Sequence, residues 1–221
     1  MATCPQRAKG CPTGAAASEQ VESRLKMHMF FPQPIPEVIL VKPGRTDDDR
    51  GYFRETFRES LYAASGIPGP FVQDNQSVSG PQFVLRGLHF QIAPSAQGKL
   101  IRCTRGAMFD VAVDIRKGSP SFGKHVSAEL TAENGHQLYV PAGFAHGFCT
   151  LTPDCEVQYK VTHYYDPACD RGLAWDDPDL GIDWPLNGAR PVLSDKDAAQ
   201  PRLSDLPVYF VFEPPAGENV R

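Results

Sequence analysis

From residue 36 onward, the chain is a series of short segments in which polar and apolar residues alternate, broken by turn-forming residues roughly every 8 to 12 positions. Such a series is typical of an all-β fold, because a strand turns successive side chains to opposite faces of its sheet. Strands are predicted most clearly for residues 84–91, 99–104, 107–115, 124–130, 136–141 and 155–163. Glycines supply the turns between the later ones: Gly106, Gly118, Gly123, Gly135 and Gly143.

Two of these segments predict which side chains share a face. In segment 107–115, one face carries Ala107, Phe109, Val111, Val113 and Ile115. Asp110 and Asp114 fall on the opposite face, which we interpret as a polar face. In segment 155–163, one face carries Cys155, Val157, Tyr159, Val161 and His163. We therefore expect Tyr159 to point into the interior, where a satisfied core tyrosine is the alternative to a functional one.

The chain divides into three predicted parts. Residues 1–28 are polar, rich in alanine and serine, and without the apolar run of a secretory signal, so we predict a disordered extension. Residues 29–203 form one domain, with helix only near 57–65 and near 195–199. Residues 204–221 are predicted to be an extended tail with an apolar patch at 208–212. So many strands in one domain favour a jelly roll or sandwich that closes around a cavity.

The composition argues against several classes of partner. A net charge of −4 argues against a general nucleic-acid or membrane-surface binder, so any anion must be held by a local basic cluster. No apolar run approaches the roughly 18 residues of a membrane span. The six cysteines show no CxxC pair and no zinc-finger spacing. We interpret them as reduced thiols of a cytoplasmic protein.

The stretch VLRGLHFQ, residues 84–91, places an arginine, a glycine and a histidine in an apolar, strand-like setting. Taken alone, Arg86 is a surface charge and His89 a core histidine with a satisfied ring. Strict alternation sends these two side chains to opposite faces, because they are three residues apart. Gly87 lies between them, and glycine tolerates a bulge that brings both to one side. We predict that distortion, which a regular ladder through 84–91 would contradict.

Residues 135–148, GHQLYVPAGFAHGF, are similar to the second motif of the cupin barrels. This similarity implies a cupin-type double-stranded β-helix, a jelly-roll barrel with few short helices. Many cupins hold a metal with two histidines and a glutamate of a first motif together with the histidine of the second, here His146. The region that corresponds to the first motif offers only His89. We therefore predict that the protein binds no metal.

The ordered motifs along the chain make a more specific resemblance. They are DRGYFRETF, FVQDNQS, VLRGLHFQ, AQGKLIRC.RG..FDVAVDIRKGSPSFG, LTAENGHQLYVPAGFAHGF, YKVTHYYDP and LSDKDA, between residues 36 and 203. Together they resemble the dTDP-4-dehydrorhamnose 3,5-epimerase family. The resemblance implies a homodimeric isomerase without metal or cofactor. Its substrate would be a dTDP-4-keto-6-deoxy sugar that is inverted at C3 and C5.

The resemblance also implies a catalytic set whose residue types suit this chemistry. The C4 ketone acidifies the hydrogens on C3 and C5, so a base, a cation for the enolate oxygen and a proton donor are needed. His89 corresponds to the family's base, and Asp197 in LSDKDA to the carboxylate that orients it. Tyr159 corresponds to the proton donor, and Lys99 to the residue beside the C4 oxygen.

Nine further positions match the family's substrate-binding residues. An arginine guanidinium fits pyrophosphate with two hydrogen bonds, and side-chain amides can contact phosphate or the thymine ring. Tyr165 could stack on the base, Asp110 could hold Lys99 or His146, and Asp170 stands where relatives have glutamate. The nine positions are Arg50, Glu55, Gln73, Asn75, Arg86, His146, Tyr165, Asp170 and Lys196.

Three alternatives stay open at this point. An enzyme of the same fold that inverts only C3 shares the His, Tyr and Lys of the motifs. A non-catalytic cupin that binds sugar nucleotides would lack some of these residues, and none is missing here. A metal-dependent cupin oxygenase would need stoichiometric iron. The downstream sugar and the pathway do not follow from the motifs.

Overall fold

The computed structural model describes residues 28–214, in which strands dominate and the helices are short. The strands of this part are β1 (Met29–Pro32), β2 (Ile39–Lys42), β3 (Thr46–Asp48), β4 (Gly51–Phe53), β5 (Gln73–Ser79), β6 (Leu85–Gln91), β7 (Lys99–Arg105), β8 (Ala107–Asp114), β9 (Arg116–Lys117), β10 (His125–Thr131), β11 (Gln137–Val140), β12 (Phe144–Thr150), β13 (Cys155–Val161), β14 (Asp170–Gly172) and β15 (Phe210–Val211). Its helices are α1 (Glu59–Ala64), α2 (Asp195–Ala198) and the 3-10 turn Leu203–Asp205. No helix in this part of the chain has the length and apolarity that crossing a membrane requires.

Most strands belong to two antiparallel sheets. One has six strands in the order β1-β2-β11-β7-β13-β5, and the other has five in the order β10-β8-β12-β6-β14. A buried apolar cluster contains residues of both, including Ile101 and Val157 of the first and Met108 and Phe148 of the second. The predicted double-sheet jelly roll of cupin type is therefore confirmed.

The outer face of each sheet is also covered. The segment around α1 packs Tyr62 and Ile67 against Ile39 and Leu100 of the six-stranded sheet. The chain that follows β14 packs against the outer face of the five-stranded sheet and forms a second buried apolar cluster with it. Because both faces of β8 are covered in this way, the prediction that one of them is a polar face is wrong. Asp110 and Asp114 are both fully buried, because they lie on the inner side of a strand that is buried on both faces.

One further expectation about the strands needs correction, and one is confirmed. His146 lies inside β12 and is almost fully buried. Strand β13 ends at Val161, so His163 does not continue its inner face and is exposed. By contrast, the inward position of Tyr159 is confirmed, since it packs against the cluster between the sheets.

The predicted distortion at Gly87 is present. Along the pairing of β6 with β12, His89 is opposite His146 while Arg86 is opposite Phe148. Three residue steps on β6 thus match two on β12, which is a bulge. Gly87 has φ +116, and a Cβ there would lie 2.7 Å from the Gly147 Cα, so only glycine fits. The extra residue turns Arg86 and His89 to the same side of the strand.

The two ends of the described chain pack on the domain. His28, which was assigned to the extension, is buried, and its Nε2 lies 3.1 Å from the Glu55 carbonyl oxygen. Strand β15 pairs in parallel with β9, and Tyr209 and Phe210 lie against Phe90. The predicted disorder of residues 1–27 and the last part of the predicted tail, 215–221, lie outside the described residues.

Candidate active site

Two adjoining cavities open between the sheets, and they share His89, Lys99 and Tyr159. The larger has a volume of about 560 Å³ and the smaller of about 240 Å³. Six predicted site residues line the larger cavity: Arg86, His89, Lys99, His146, Tyr159 and Asp197. Four more line the smaller one: Gln73, Asn75, Tyr165 and Asp170. The fold thus gathers ten of the thirteen predicted positions around one connected space.

His89 and Asp197 form a close pair at the wall of the larger cavity. The ring Nε2 lies 2.6 Å from Asp197 Oδ1, although its N–H does not point straight at that oxygen. Burial alone would raise the pKa of Asp197, but contacts with His89, the Ser194 hydroxyl and the Gly87 backbone N–H outweigh it and lower the pKa. The carboxylate therefore stays ionised at neutral pH. With Nε2 committed to the carboxylate, Nδ1 is the nitrogen left to accept a proton.

Lys99 begins β7 and brings a cation next to the histidine. Its Nζ donates a hydrogen bond to the His89 carbonyl oxygen at 3.1 Å. Burial lowers the pKa of this ammonium to about 8, against the opposing effect of the nearby Asp170 and Asp110 carboxylates. Lys99 is therefore charged at neutral pH, but its pKa is close enough to neutral that a change in its surroundings can alter its charge.

His146 and Asp110 form a second pair, which is more deeply buried. His146 Nε2 lies 2.8 Å from Asp110 Oδ1, so Asp110 holds His146 directly, one of the two options predicted for it. Burial lowers the pKa of His146, and the positive charge of Lys99 adds to this, while Asp110 opposes it. His146 is thus neutral at pH 7, and it forms part of the cavity wall as a polar group that can form hydrogen bonds.

Tyr159 lies where the two cavities meet. Its phenol is largely buried, and this burial raises its pKa, while the positive charge of Arg86 works in the opposite direction. A phenol with a raised pKa keeps its proton at neutral pH, as a proton donor must. The base pair, the ammonium and the phenol therefore surround a common space, which suits proton transfer at carbons next to a ketone.

The inner face of β5 forms a polar wall beside this space. Alternate residues of the strand are turned inward, namely Gln73, Asn75, Ser77 and Ser79. Gln73 Nε2 donates to Asn75 Oδ1 at 2.9 Å, and Gln73 Oε1 accepts from the Tyr165 backbone N–H at 3.0 Å. A sheet face with only polar residues would be poor core, so we interpret it as a surface for a polar ligand.

A cluster of charged and aromatic groups closes the smaller cavity. The Tyr165 hydroxyl donates to Asp170 Oδ2 at 3.2 Å, and Lys196 Nζ donates to the same oxygen. Lys196 thus joins the predicted set through Asp170. Aspartate is shorter than the glutamate of relatives at this position, but the longer side chains of Tyr165 and Lys196 reach its carboxylate.

Arg50 and Glu55 line neither cavity. Arg50 lies in the turn between β3 and β4, where its side chain is 89% exposed and pairs with Asp48. Glu55 pairs with Arg58, with Nη2 and Oε2 2.6 Å apart. Within one chain, the structure therefore leaves these two predicted binding residues apart from the others.

Among the site residues that were not predicted from the sequence, three polar ones stand beside the predicted set. Ser79 Oγ accepts from Arg86 Nε at 3.2 Å and so orients the guanidinium, while the buried Ser77 hydroxyl has no hydrogen-bond partner among the residues that the structure describes. Buried Gln91 accepts from the Asp166 backbone N–H and donates to the Ser95 and Tyr164 carbonyls, which ties together the two loops around the smaller cavity. The signal for the serines was available, since a strand with polar residues at every inward position is unusual.

The structure also bears on metal binding. Among residues 28–214, no group of three or more His, Cys, Asp or Glu side chains is arranged to hold a metal ion. His89 and His146, which resemble cupin metal ligands in sequence, are each paired with an aspartate instead.

Comparison with known proteins agrees with this geometry. A family profile described as dTDP-4-dehydrorhamnose 3,5-epimerase matches residues 32–205. The dTDP-4-dehydrorhamnose 3,5-epimerase of Sinorhizobium fredii is 57% identical over 185 residues, which cover 83% of this chain and 94% of that protein.

Two solved structures are also similar. The Legionella pneumophila 3,5-epimerase in complex with dTDP-4-keto-L-rhamnose has a TM-score of 0.80 and 42% identity, covering 84% of this chain and 99% of that one. A 3'-monoepimerase from Streptomyces bikiniensis in complex with dTDP-quinovose has a TM-score of 0.73 and 38% identity, covering 78% of this chain and 87% of that one.

Proposed function

Because the chain belongs to the dTDP-4-dehydrorhamnose 3,5-epimerase family, we propose that it inverts C3 and C5 of dTDP-4-dehydro-6-deoxy-D-glucose. The product would be dTDP-4-dehydro-L-rhamnose. The observation that carries this proposal is the shared space of the two cavities, where His89, Lys99 and Tyr159 meet. These three groups are a base, a cation and an acid.

The first step is removal of a proton from the carbon next to the ketone. His89 accepts it on Nδ1, since Nε2 faces Asp197. The ionised carboxylate stabilises the imidazolium formed at that moment, as in the base-and-orienter pair of a hydrolase triad. The enolate oxygen that develops is stabilised by the Lys99 ammonium, which is charged below a pH of about 8.

The second step returns a proton to the opposite face of the enolate. Tyr159 is suited to this because its raised pKa keeps the phenol protonated. Inversion requires that acid and base stand on opposite sides of the ring carbon. Tyr159 projects from β13 of the six-stranded sheet and His89 from β6 of the five-stranded sheet, so the two reach the sugar from opposite walls.

The nucleotide end would lie along β5 and in the smaller cavity. Arg86, oriented by Ser79, offers its guanidinium to the pyrophosphate. Gln73 and Asn75 offer side-chain amides, and Tyr165 is exposed and can stack on thymine. The polar wall thus supports a nucleotide diphosphate as the anchor of the sugar.

Proton exchange with solvent tests this function. The purified protein is incubated with dTDP-4-dehydro-6-deoxy-D-glucose in D₂O, and the product is followed by NMR. We expect the L-rhamno configuration with deuterium at both C3 and C5. Product without inverted centres, or with no deuterium at all, would contradict the proposal.

A C3-only epimerase is the second candidate, and one observation favours it. The 3'-monoepimerase of Streptomyces bikiniensis has the same fold at 38% identity, so the fold itself allows either outcome. The same experiment separates the two candidates, because a C3-only enzyme leaves C5 unlabelled and uninverted.

We also propose that the protein acts as a homodimer. The β3–β4 hairpin presents Tyr52 and Phe53, which are 57% and 62% exposed, next to Arg50. Exposed aromatic residues of this kind favour a protein contact. In a dimer, the hairpin of one subunit would bring Arg50, and the segment that follows the hairpin would bring Glu55, to the cavity of the other subunit.

Sedimentation velocity tests the dimer, and mixed subunits test the exchange of the hairpin. Arg50→Ala and His89→Gln subunits, each impaired alone, are mixed under conditions that allow reassembly. If the hairpin serves the other subunit, mixed dimers contain one intact site and activity returns. No recovery in a dimer that demonstrably exchanges subunits would contradict this arrangement.

The reaction as proposed needs neither metal nor cofactor, because the base, the cation and the acid are all side chains of the chain itself. Activity should therefore survive exhaustive treatment with a chelator. A cytoplasmic location is proposed as well, supported by the free thiols of Cys103, Cys149, Cys155 and Cys169. Fractionation of the native cells tests it.

A further inference from the structure

We propose that Ser194 is a positioning residue of the site, whose hydroxyl fixes the Asp197 carboxylate so that one oxygen faces His89. This inference rests on the proposed function, since it assigns a role within the base pair. It concerns a residue outside the predicted catalytic and binding set that nevertheless lines the larger cavity.

Ser194 makes two reciprocal contacts with Asp197. Its backbone is extended, with φ −78 and ψ 159, and it forms the N-cap of α2. Its Oγ accepts from the Asp197 backbone N–H at 3.1 Å and donates to Asp197 Oδ2 at 2.8 Å. One hydroxyl therefore fixes both the start of the helix and the side chain on its first turn.

The contact with Oδ2 decides where Oδ1 points. The terminal torsion of an aspartate is broad and roughly two-fold, so a carboxylate without a fixed partner turns readily. The hydroxyl on Oδ2 restricts this rotation, and Oδ1 is then left 2.6 Å from His89 Nε2. A carboxylate held in this way keeps the proton of the neutral ring on Nε2 and leaves Nδ1 free to act as the base.

Capping and carboxylate positioning can be separated by substitution. Ser194→Gly and Ser194→Ala both remove the hydroxyl and with it both contacts. They differ in helix stability, because glycine is tolerated at an N-cap whereas alanine is not. Ser194→Thr keeps both contacts. Ser204→Ala is the matched control, since Ser204 also lies beside an aspartate but is exposed and outside the cavity.

We expect the Gly and Ala variants to lose about tenfold in kcat, with KM and the Kd for dTDP unchanged. Only the Ala variant should also melt about 2 to 4 °C lower. Ser194→Thr should restore kcat, and Ser204→Ala should match the wild type. Wild-type kcat in the Gly variant, or losses that simply follow the melting temperature, would overturn the proposal.

A double-mutant cycle asks whether the hydroxyl acts through Asp197. In an Asp197→Asn background, which offers no charge to orient, Ser194→Gly should change kcat by less than about twofold. A full tenfold loss in that background would show that the two residues act independently, and the positioning role would be wrong.

Nitrogen NMR of the histidine rings gives a readout without substrate. His89 signals are assigned by their loss in His89→Gln. In the wild type we expect the tautomer protonated on Nε2, and in Ser194→Gly a mixture of the two tautomers. An unchanged His89 spectrum in Ser194→Gly overturns the inference. A wild type with this tautomer but no epimerisation would contradict the proposed function instead.

Discussion

The alkaline side of the pH–rate profile should report the titration of Lys99. Burial lowers the pKa of its ammonium to about 8, whereas an ordinary lysine has a pKa of 10.5. The Lys99 ammonium loses its proton and its charge as the pH rises through this lowered pKa. The cation that stabilises the enolate is therefore present below about pH 8 and is lost above it. About nine-tenths of Lys99 is charged at pH 7, half at about pH 8 and one-tenth at pH 9.

If only the charged form is active, kcat/KM should fall about tenfold for each pH unit above 8. The profile of kcat/KM is measured by NMR from pH 6.5 to 9.5, since this ratio reports groups of the free enzyme. Circular dichroism at each pH shows that the fold is intact. Tyr159 does not titrate in this window, because burial raises its pKa above the ordinary value of 10.0.

Two variants of Lys99 make the assignment specific. Lys99→Arg keeps a charge at every pH tested, so its alkaline limb should disappear even where its plateau is lower. Lys99→Met removes the charge and should be slow at all pH values. A wild-type profile that stays flat to pH 9.5, or an alkaline limb that persists in Lys99→Arg, would refute the role of the Lys99 ammonium.

Three more predictions concern the other groups of the site. Tyr159→Phe should bind dTDP normally and lose epimerisation more than C3 hydrogen exchange, both followed by NMR in D₂O; equal losses would show that Tyr159 is not a dedicated proton donor. Asp197→Asn should lower turnover about ten- to hundredfold, because a charge-assisted contact of about 1.5–3 kcal/mol is lost, and titration calorimetry should show unchanged dTDP binding. Ser79→Ala should raise the Kd for dTDP about three- to tenfold through the freed Arg86 side chain, with little change in kcat; an unchanged Kd would contradict the orienting role.

Much of the fold follows from local pattern, and β13 shows why. Its alternation places Tyr159 inward because one face of that strand packs on the core. The same reasoning failed for Asp110 on β8, since a strand buried on both faces can hold an ionisable group inside when His146 pairs with it. Alternation predicts which residues share a face, but not whether the second face is covered by a distant part of the chain.

Site residues could be predicted where a sequence motif identifies them, but not where their role depends on how distant parts of the chain come together. The bulge at Gly87 could be predicted, because Arg86 and His89 had to face one ligand and only glycine allows the distortion. The separation of Arg50 from the cavity could not be predicted, since it depends on where the exposed β3–β4 hairpin lies in the folded chain. The two contacts of Ser194 with Asp197 likewise become visible only when α2 is in place.

Hydrogen exchange in a His89→Gln variant tests most directly whether His89 is the base. Removal of both sugar protons is assigned to this one ring, whose Nε2 lies 2.6 Å from Asp197 Oδ1. The variant is incubated with substrate in D₂O, and dTDP binding is checked by calorimetry. We predict that binding is retained and that deuterium enters neither C3 nor C5 over many wild-type turnover times. Exchange at either carbon at close to the wild-type rate would show that another group is the base.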